Sequence, residues 1–282
     1  MAIATLIAAA ALDASRLETL AARLGAEARW LEVGRVARLE SARPVAELRA
    51  ALAEFEGVDH VVHDHDRPPA LFLADMDSTM IGQECIDELA ALAGVGAAVA
   101  DITERAMRGE LDFARALAAR LALLEGLEVA AIETLLATRI RPNRGAATLV
   151  GTLSRHGVRT VLVSGGFTAF AEPVARALGF DRVVANRLEV ANGRLTGRVE
   201  GAVVDGAVKR AVLVEERARC GGPVVAIGDG ANDLPMLHEA DLGIAYRAKP
   251  RVAAAADARL DHADLDALLH AFGFTPADPG AD

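Results

Sequence analysis

Apolar positions along this chain come in two kinds of run. Up to about residue 66 they are short and broken by polar positions. An apolar stretch at 3–10 precedes a helical pattern at 13–24 ("DASRLETLAARL") that closes at Gly25. Strand-like segments follow at 28–33 and 35–40, then a second helical pattern opening at Ser41 and Pro44 and running to about Phe55, then the strand-like "VDHVVHD". The order βαββαβ predicts an α+β domain of ferredoxin-like type over residues 1–66. Paired prolines in "HDHDRPPA" interrupt the pattern, and a domain boundary is expected there. His63 and His65 alternate near this point, and a solvated strand end accounts for them better than a metal site.

From residue 70 the apolar runs become continuous: "ALFLAD" at 70–75, "RTVLVS" at 159–164, "PVVAIGD" at 223–229 and "LGIAY" at 242–246. Strands that are apolar on both faces belong in a parallel sheet covered by helices on both sides. Residues 70–276 are therefore predicted to form an α/β core with a doubly wound, Rossmann-like parallel sheet. A mainly helical insert at about 83–140 separates the first two strands. "RLEVANGRLTGRVEG" reads as a hairpin turning at Asn192-Gly193.

Composition narrows the function classes. With 52% hydrophobic residues in 282 there is ample material for a core, but aromatics make up only 4%, too few for base-stacking platforms. A formal charge of -10 opposes association with nucleic acid or anionic membrane, so neither is expected as a partner. Two cysteines, Cys85 and Cys220, form no disulfide framework or zinc set, which favours a reducing compartment. The opening "MAIATLIAAAAL" is apolar, yet its first positive charge is Arg16 and it is too short to span a bilayer. A strand is expected there rather than an export signal, and the cytoplasm is the expected location.

Ligands of open α/β sheets bind beyond the carboxyl ends of the strands. Three predicted strands end there in a polar residue: Asp75, Ser164 and Asp229. "DMD" adds Asp77, and "GDGANDLPM" adds Asp233 across a glycine-rich turn. Each alone is explained as a cap or turn former. Together, Asp75, Asp77, Asp229 and Asp233 would crowd four negative charges at one edge, which a hard divalent cation, Mg²⁺, would relieve.

These elements resemble the haloacid dehalogenase-like phosphohydrolases. The family carries DxDxT or DxDST, here Asp75 to Thr79; a Ser or Thr ending the next core strand, here Ser164 in "VSGGF"; a lysine, here Lys209; and GDGxND, here Gly228 to Asp233. Within that superfamily the sequence closely resembles the phosphoserine phosphatases, whose bacterial members often carry an N-terminal ACT-like module. The resemblance covers about residues 70–270. It implies Asp75 as nucleophile and Asp77 as general acid and base. Ser164, the Gly165 N–H and Lys209 would hold the phosphate, and Asn232 the substrate. Asp229 would hold Mg²⁺ directly, with the backbone carbonyl of Asp77, while Asp233 would act through water or by orienting Lys209. Without the resemblance Lys209 reads as a solvated surface lysine.

The insert bears on substrate choice. In "LDFARALAARLALLEGL", Phe113, Leu117, Leu121 and Leu124 form a helical stripe, and Arg120 lies seven residues after Phe113 on nearly the same face. Its stem either snorkels to water or its guanidinium clamps a carboxylate. Glu84 stands at a helix start, where an acid also suits the helix dipole. The resemblance implies that Glu84 binds the substrate ammonium and Arg120 its carboxylate, with Met107 and Phe113 as apolar lid contacts. The expected activity is hydrolysis of O-phospho-L-serine. The alternatives are a phosphotransferase or phosphatase for another phosphorylated amino acid, such as homoserine phosphate, and an amino-acid sensor with a degenerate core. For the N-terminal module a structural or homodimerising role is favoured.

Overall fold

The computed structural model of the chain describes residues 1–8, 11–53, 55, 57–65 and 67–276, and of Met107 the backbone only. The first part comprises β1 (Ala2–Ala8), α1 (Ala14–Leu24), β2 (Ala26–Glu32), β3 (Val36–Ser41), α2 (Val45–Leu52) and β4 (Val58–His63). Asp13 caps α1 by accepting from the Arg16 N–H, and Gly25 ends it at φ 59°. The spatial order β2-β3-β1-β4 is that of the split βαβ plan. Its helix-covered face packs a core of its own, centred on Leu6, Leu39, Leu48 and Leu52.

The second part begins with β5 (Leu71–Ala74), followed by α3 (Cys85–Leu92), α4 (Gly96–Met107), α5 (Phe113–Ala122) and α6 (Ala130–Thr138) of the helical insert. Then come α7 (Ala146–Arg155), β6 (Arg159–Phe167), α8 (Thr168–Leu178), β7 (Arg182–Ala191), β8 (Arg194–Glu200), α9 (Gly206–Arg217) and β9 (Val224–Gly228). The chain continues through α10 (Leu234–Glu239), β10 (Leu242–Tyr246), α11 (Pro250–Ala255), β11 (Ala258–Leu260) and α12 (Leu268–Ala271). Strands β11-β10-β9-β5-β6-β7 are parallel in that order, so the chain winds outward both ways from β5. Alternation sorts the central residues: Leu71, Leu73, Val161 and Val163 face one helical layer, Phe72, Ala74 and Leu162 the other. The β7–β8 hairpin turns at Asn192 and Gly193, both at positive φ, as its sequence predicts.

The expected boundary near residue 66 does not interrupt the sheet. β4 pairs antiparallel with β11 at His60 and Arg259, giving one sheet of eleven strands, β2-β3-β1-β4-β11-β10-β9-β5-β6-β7-β8. Buried Asp59 accepts three backbone N–H bonds, from Asp261 and His262 at 2.9 Å and Ala263 at 2.8 Å. Arg49 meets Asp257 at 2.7 Å. His63 is buried rather than solvated, with Nε2 3.0 Å from the Ala271 carbonyl, because α12 lies over the end of β4.

Candidate active site

The parallel sheet reverses its winding direction at β5 and β9, which are neighbours, and their carboxyl ends deliver Asp75 and Asp229 side by side. After Asp75 the backbone enters a tight turn at Met76–Met80, in which Ser78 takes a positive φ of 56°. That conformation is uncommon outside glycine. It lets the Ser78 hydroxyl donate to Glu84 Oε1 at 2.6 Å, while the Thr79 hydroxyl donates to Asp229 Oδ1 at 3.2 Å. Although Glu84 precedes α3, its carboxylate makes no capping bond to that helix.

Lys209 projects from α9 into this cluster and is wholly buried, not a surface lysine. Its Nζ lies 2.5 Å from Asp75 and 2.6 Å from Asp233. Burial alone would push the ammonium to lose its proton, but Asp233 and Asp75 outweigh it and hold Lys209 charged, above its usual range. Asp75 is raised well above the carboxylate range by burial and by the charge of Asp233, with Lys209 opposing. Asp229 is pushed up to about 6, by burial and then by Asp233 and Glu84. Acids in this condition are short of positive charge.

Asp75, Asp229 and Asp233 each bring an oxygen within 4.8 Å of the others, all buried. Both oxygens of Asp233 are engaged, by Lys209 and by the Gly230 N–H at 2.9 Å. Asp75 and Asp229 are the acids with an oxygen left to offer, and this hard, all-oxygen set fits a divalent cation. The Asp77 carboxylate stands outside the cluster because it turns toward α3, where it accepts from the Cys85 N–H at 3.3 Å. Burial first and Glu84 second push Asp77 up to about 7, against the Cys85 hydrogen bonds. A carboxyl group balanced there serves as acid or base at neutral pH.

The donor side of the site comes from β6. Ser164 Oγ accepts from the Gly166 N–H at 2.8 Å, which leaves its hydroxyl proton to donate elsewhere. A Cβ on Gly165 would stand 2.8 Å from the Phe113 ring, and one on Gly166 would stand 2.6 Å from Asp77 Oδ2, so neither position has room for a side chain. Asn186 fixes this loop, donating to the Gly165 carbonyl at 2.8 Å and accepting from the Val204 N–H.

A cleft of about 1160 Å³ between the sheet edge and the insert takes in Asp75, Asp77, Glu84, Phe113, Arg120, Ser164, Gly165, Asp229 and Asn232. Leu117, Leu121 and Leu124 are buried as their spacing predicts. Arg120, half-buried, bonds the Ala116 carbonyl at 3.3 Å and has no ion-pair partner among the described residues. Burial lowers its pKa, opposed by the charges of Asp87, Glu84 and Asp77. The Met107 side chain lies outside the described residues. Lys209 and Asp233 stand behind Asp75 rather than among these cleft residues.

Residues 72–238 match the haloacid dehalogenase-like hydrolase family, and residues 211–272 match a second family of the same description. The chain belongs to the haloacid dehalogenase-like hydrolases. A phosphoserine phosphatase of Streptomyces coelicolor is 46% identical over 75% of this chain, which spans 52% of that protein, about half its length. A solved structure of a family hydrolase from Salmonella enterica superposes with a TM-score of 0.83 at 27% identity, covering 99% of this chain and 100% of that one. A phospho-aspartyl intermediate analogue of a phosphoserine phosphatase superposes at 0.67 with 38% identity, over 73% of this chain and 99% of that one.

Several contributors escaped the sequence reading. Ser78 and Thr79 were visible only as letters of the motif; their hydroxyls orient Glu84 and Asp229. Asn186 carries no local signal, because its partners lie 21 and 18 residues away. Asp87 and Lys249 also line the cleft, from α3 and from the start of α11.

Proposed function

We propose that this chain is a phosphoserine phosphatase, converting O-phospho-L-serine and water to L-serine and inorganic phosphate through an aspartyl-phosphate on Asp75. The similarity to phosphoserine phosphatases supports the reaction class. The observation that carries the substrate reading is the pair of opposite charges, Glu84 and Arg120, lining the cleft that holds Asp75 and Asp77. Among the described residues Arg120 has no ion-pair partner, so it is available to a substrate carboxylate, and Glu84 to an ammonium. A sugar phosphate would satisfy neither charge.

An Asp75 oxygen attacks phosphorus, the bond from phosphorus to the serine oxygen breaks, and Asp77 gives its proton to that oxygen. Water then attacks the phosphoryl group on Asp75 while Asp77 takes its proton, releasing phosphate and restoring the carboxylate. Ser164 and the Gly165 N–H hold phosphoryl oxygens, Lys209 neutralises Asp75, and Asn232 contacts the bound substrate. Mg²⁺, held by Asp75, Asp229 and the Asp77 carbonyl, would supply charge to the transferring phosphoryl group. Met107 and Phe113 would close the apolar side of the cleft over the substrate.

The test is phosphate release with Mg²⁺ from L-phosphoserine, D-phosphoserine, phosphothreonine, homoserine phosphate and sugar phosphates. Preference for L-phosphoserine is expected, abolished by Asp75→Asn. Arg120→Ala should act chiefly through KM, raising it about 10²-fold for a lost charge-assisted bidentate contact. Equal turnover of sugar phosphates, or indifference to Arg120, would reject the amino-acid assignment.

A further inference from the structure

The cleft has to admit an anion past a surplus of acids. Of the charged residues that line it, seven are acids and three are bases, Arg120, Lys249 and Arg251. The chain as a whole is also acidic, at -10. A phosphomonoester brings about two more negative charges at neutral pH, so its approach is opposed unless positive charge lies near the path. Mg²⁺ would answer Asp75 and Asp229, but Asp87, Asp112 and Asp205 would remain.

Arg120 belongs to the insert, where the proposed function gives it to the substrate carboxylate. The other two bases stand on the core wall. Lys249 precedes α11 and Arg251 is its second residue, both are exposed, and neither has an ion-pair partner among the described residues. By contrast Arg105, Arg108 and Arg115, on the insert, pair with Glu110 or Asp112. The Lys249 backbone N–H donates to the Asp229 carbonyl at 3.4 Å, which ties this corner to the end of β9. Helix stability does not account for the two cations. The start of a helix carries partial positive charge and is stabilised by acids, yet the first turn of α11 holds none. The Val252 and Ala253 N–H groups already donate to the Lys249 carbonyl, so this corner offers a ligand side-chain charge rather than backbone donors. A local rule broken beside a cleft points to a role in it.

We propose that Lys249 and Arg251 draw the phosphate group of the substrate into the cleft by charge at a distance, selecting for dianionic substrates without touching the reacting atoms. The inference rests on the phosphatase part of the proposed function and not on its amino-acid part. The attraction acts on capture, so it belongs in kcat/KM and leaves kcat alone. It acts through solvent, so salt screens it.

The test is kcat/KM for L-phosphoserine and for p-nitrophenyl phosphate, with Mg²⁺, from about 10 mM to about 1 M NaCl, over which the Debye length shrinks from about 30 Å to about 3 Å. In the double variant Lys249→Gln, Arg251→Gln the value should fall about 10-fold at the lowest salt and converge on the parent at the highest, with kcat within about twofold of the parent throughout. The double variant Lys249→Arg, Arg251→Lys keeps both charges and should follow the parent at every salt. Both substrates carry the phosphate dianion and only L-phosphoserine carries amino-acid charges, so failure of the amino-acid assignment would leave the loss on p-nitrophenyl phosphate in place. Binding of inorganic phosphate with Mg²⁺, followed by calorimetry, needs no turnover and should weaken in the same salt-dependent way. A glutamine variant equal to the parent at low salt, a loss that high salt does not remove, or a loss carried by kcat would each overturn the proposal.

Discussion

Replacing Lys209 with Met removes the one ammonium between two buried carboxylates. Its side chain and that of Asp233 are 0% exposed, and Asp75 is 7% exposed, with Nζ at 2.5 and 2.6 Å from the two acids. At an effective dielectric of about 20, each contact is worth roughly 6 kcal/mol of attraction before desolvation is subtracted. Loss of one member of a buried ionic group typically costs about 3–5 kcal/mol, because the abandoned charge stays buried. We expect Lys209→Met to lose about that much at neutral pH in urea unfolding without divalent cations. This would be a large part of a typical stability of about 5–15 kcal/mol. The pH dependence has a definite sign. Asp75 is already raised by burial and by Asp233, and without Lys209 it rises further. An acid raised in the folded state binds protons there first, so the deficit should shrink as pH falls toward the unfolded carboxylate value of about 4. On the mechanism proposed above, turnover should fall about 10²–10³-fold, because Lys209 would then no longer offset the charge of Asp75 and the phosphoryl group. A stability loss below about 1 kcal/mol, or one that grows on acidification, would refute the reasoning.

Gly166→Ala should cut kcat by about 10² or more while the fold persists, since the added Cβ would stand 2.6 Å from Asp77 Oδ2 and must displace it; unchanged kcat would contradict this. Asp59→Ala strips the acceptor from three backbone N–H groups and should cost about 3 kcal/mol, with faster amide exchange at 261–263 as the check. Burial holds His60, His63 and His270 below the ordinary histidine range at the seam between β4 and the C-terminal segment. Asp59, Arg49 and Arg259 face His60; His65, Arg38 and Asp64 face His63; Glu32, Asp266 and Arg35 face His270. Depressed values mean the unfolded chain takes protons first, so this contribution is complete above about pH 6.5 and lost as pH falls through the folded values. The raised active-site acids act in the opposite sense, so the difference in Tm between the parent and His63→Phe, followed from pH 7.5 to about 5, isolates the His63 part. A difference that does not narrow as pH falls would count against it.

The sequence by itself determined the elements and the motif. Continuous apolar runs located β5, β6, β9 and β10 to within a few residues, and alternation with helical spacing located the βαββαβ part. Those signals are local, since strand and helix periodicities repeat within a few residues. The same holds for Asp75 and Asp229, which directly follow β5 and β9, and for Ser164, where the regular pairing of β6 with β7 breaks off; any parallel sheet would bring these positions to one edge. β11, three residues long, is too short to show a period, so its pairing with β4 and the resulting single sheet could not be read in advance. Asp59 reads as an ordinary strand polar residue, yet its partners lie 202 to 204 residues away. Tertiary structure also decided that Lys209 is buried between two acids, that Glu84 accepts from Ser78, and that Asp77 turns away from the cluster of Asp75, Asp229 and Asp233 toward α3. Each depends on which distant groups share a small volume. Charge and burial there set protonation and orientation, quantities that belong to the assembled site and to no single stretch of chain.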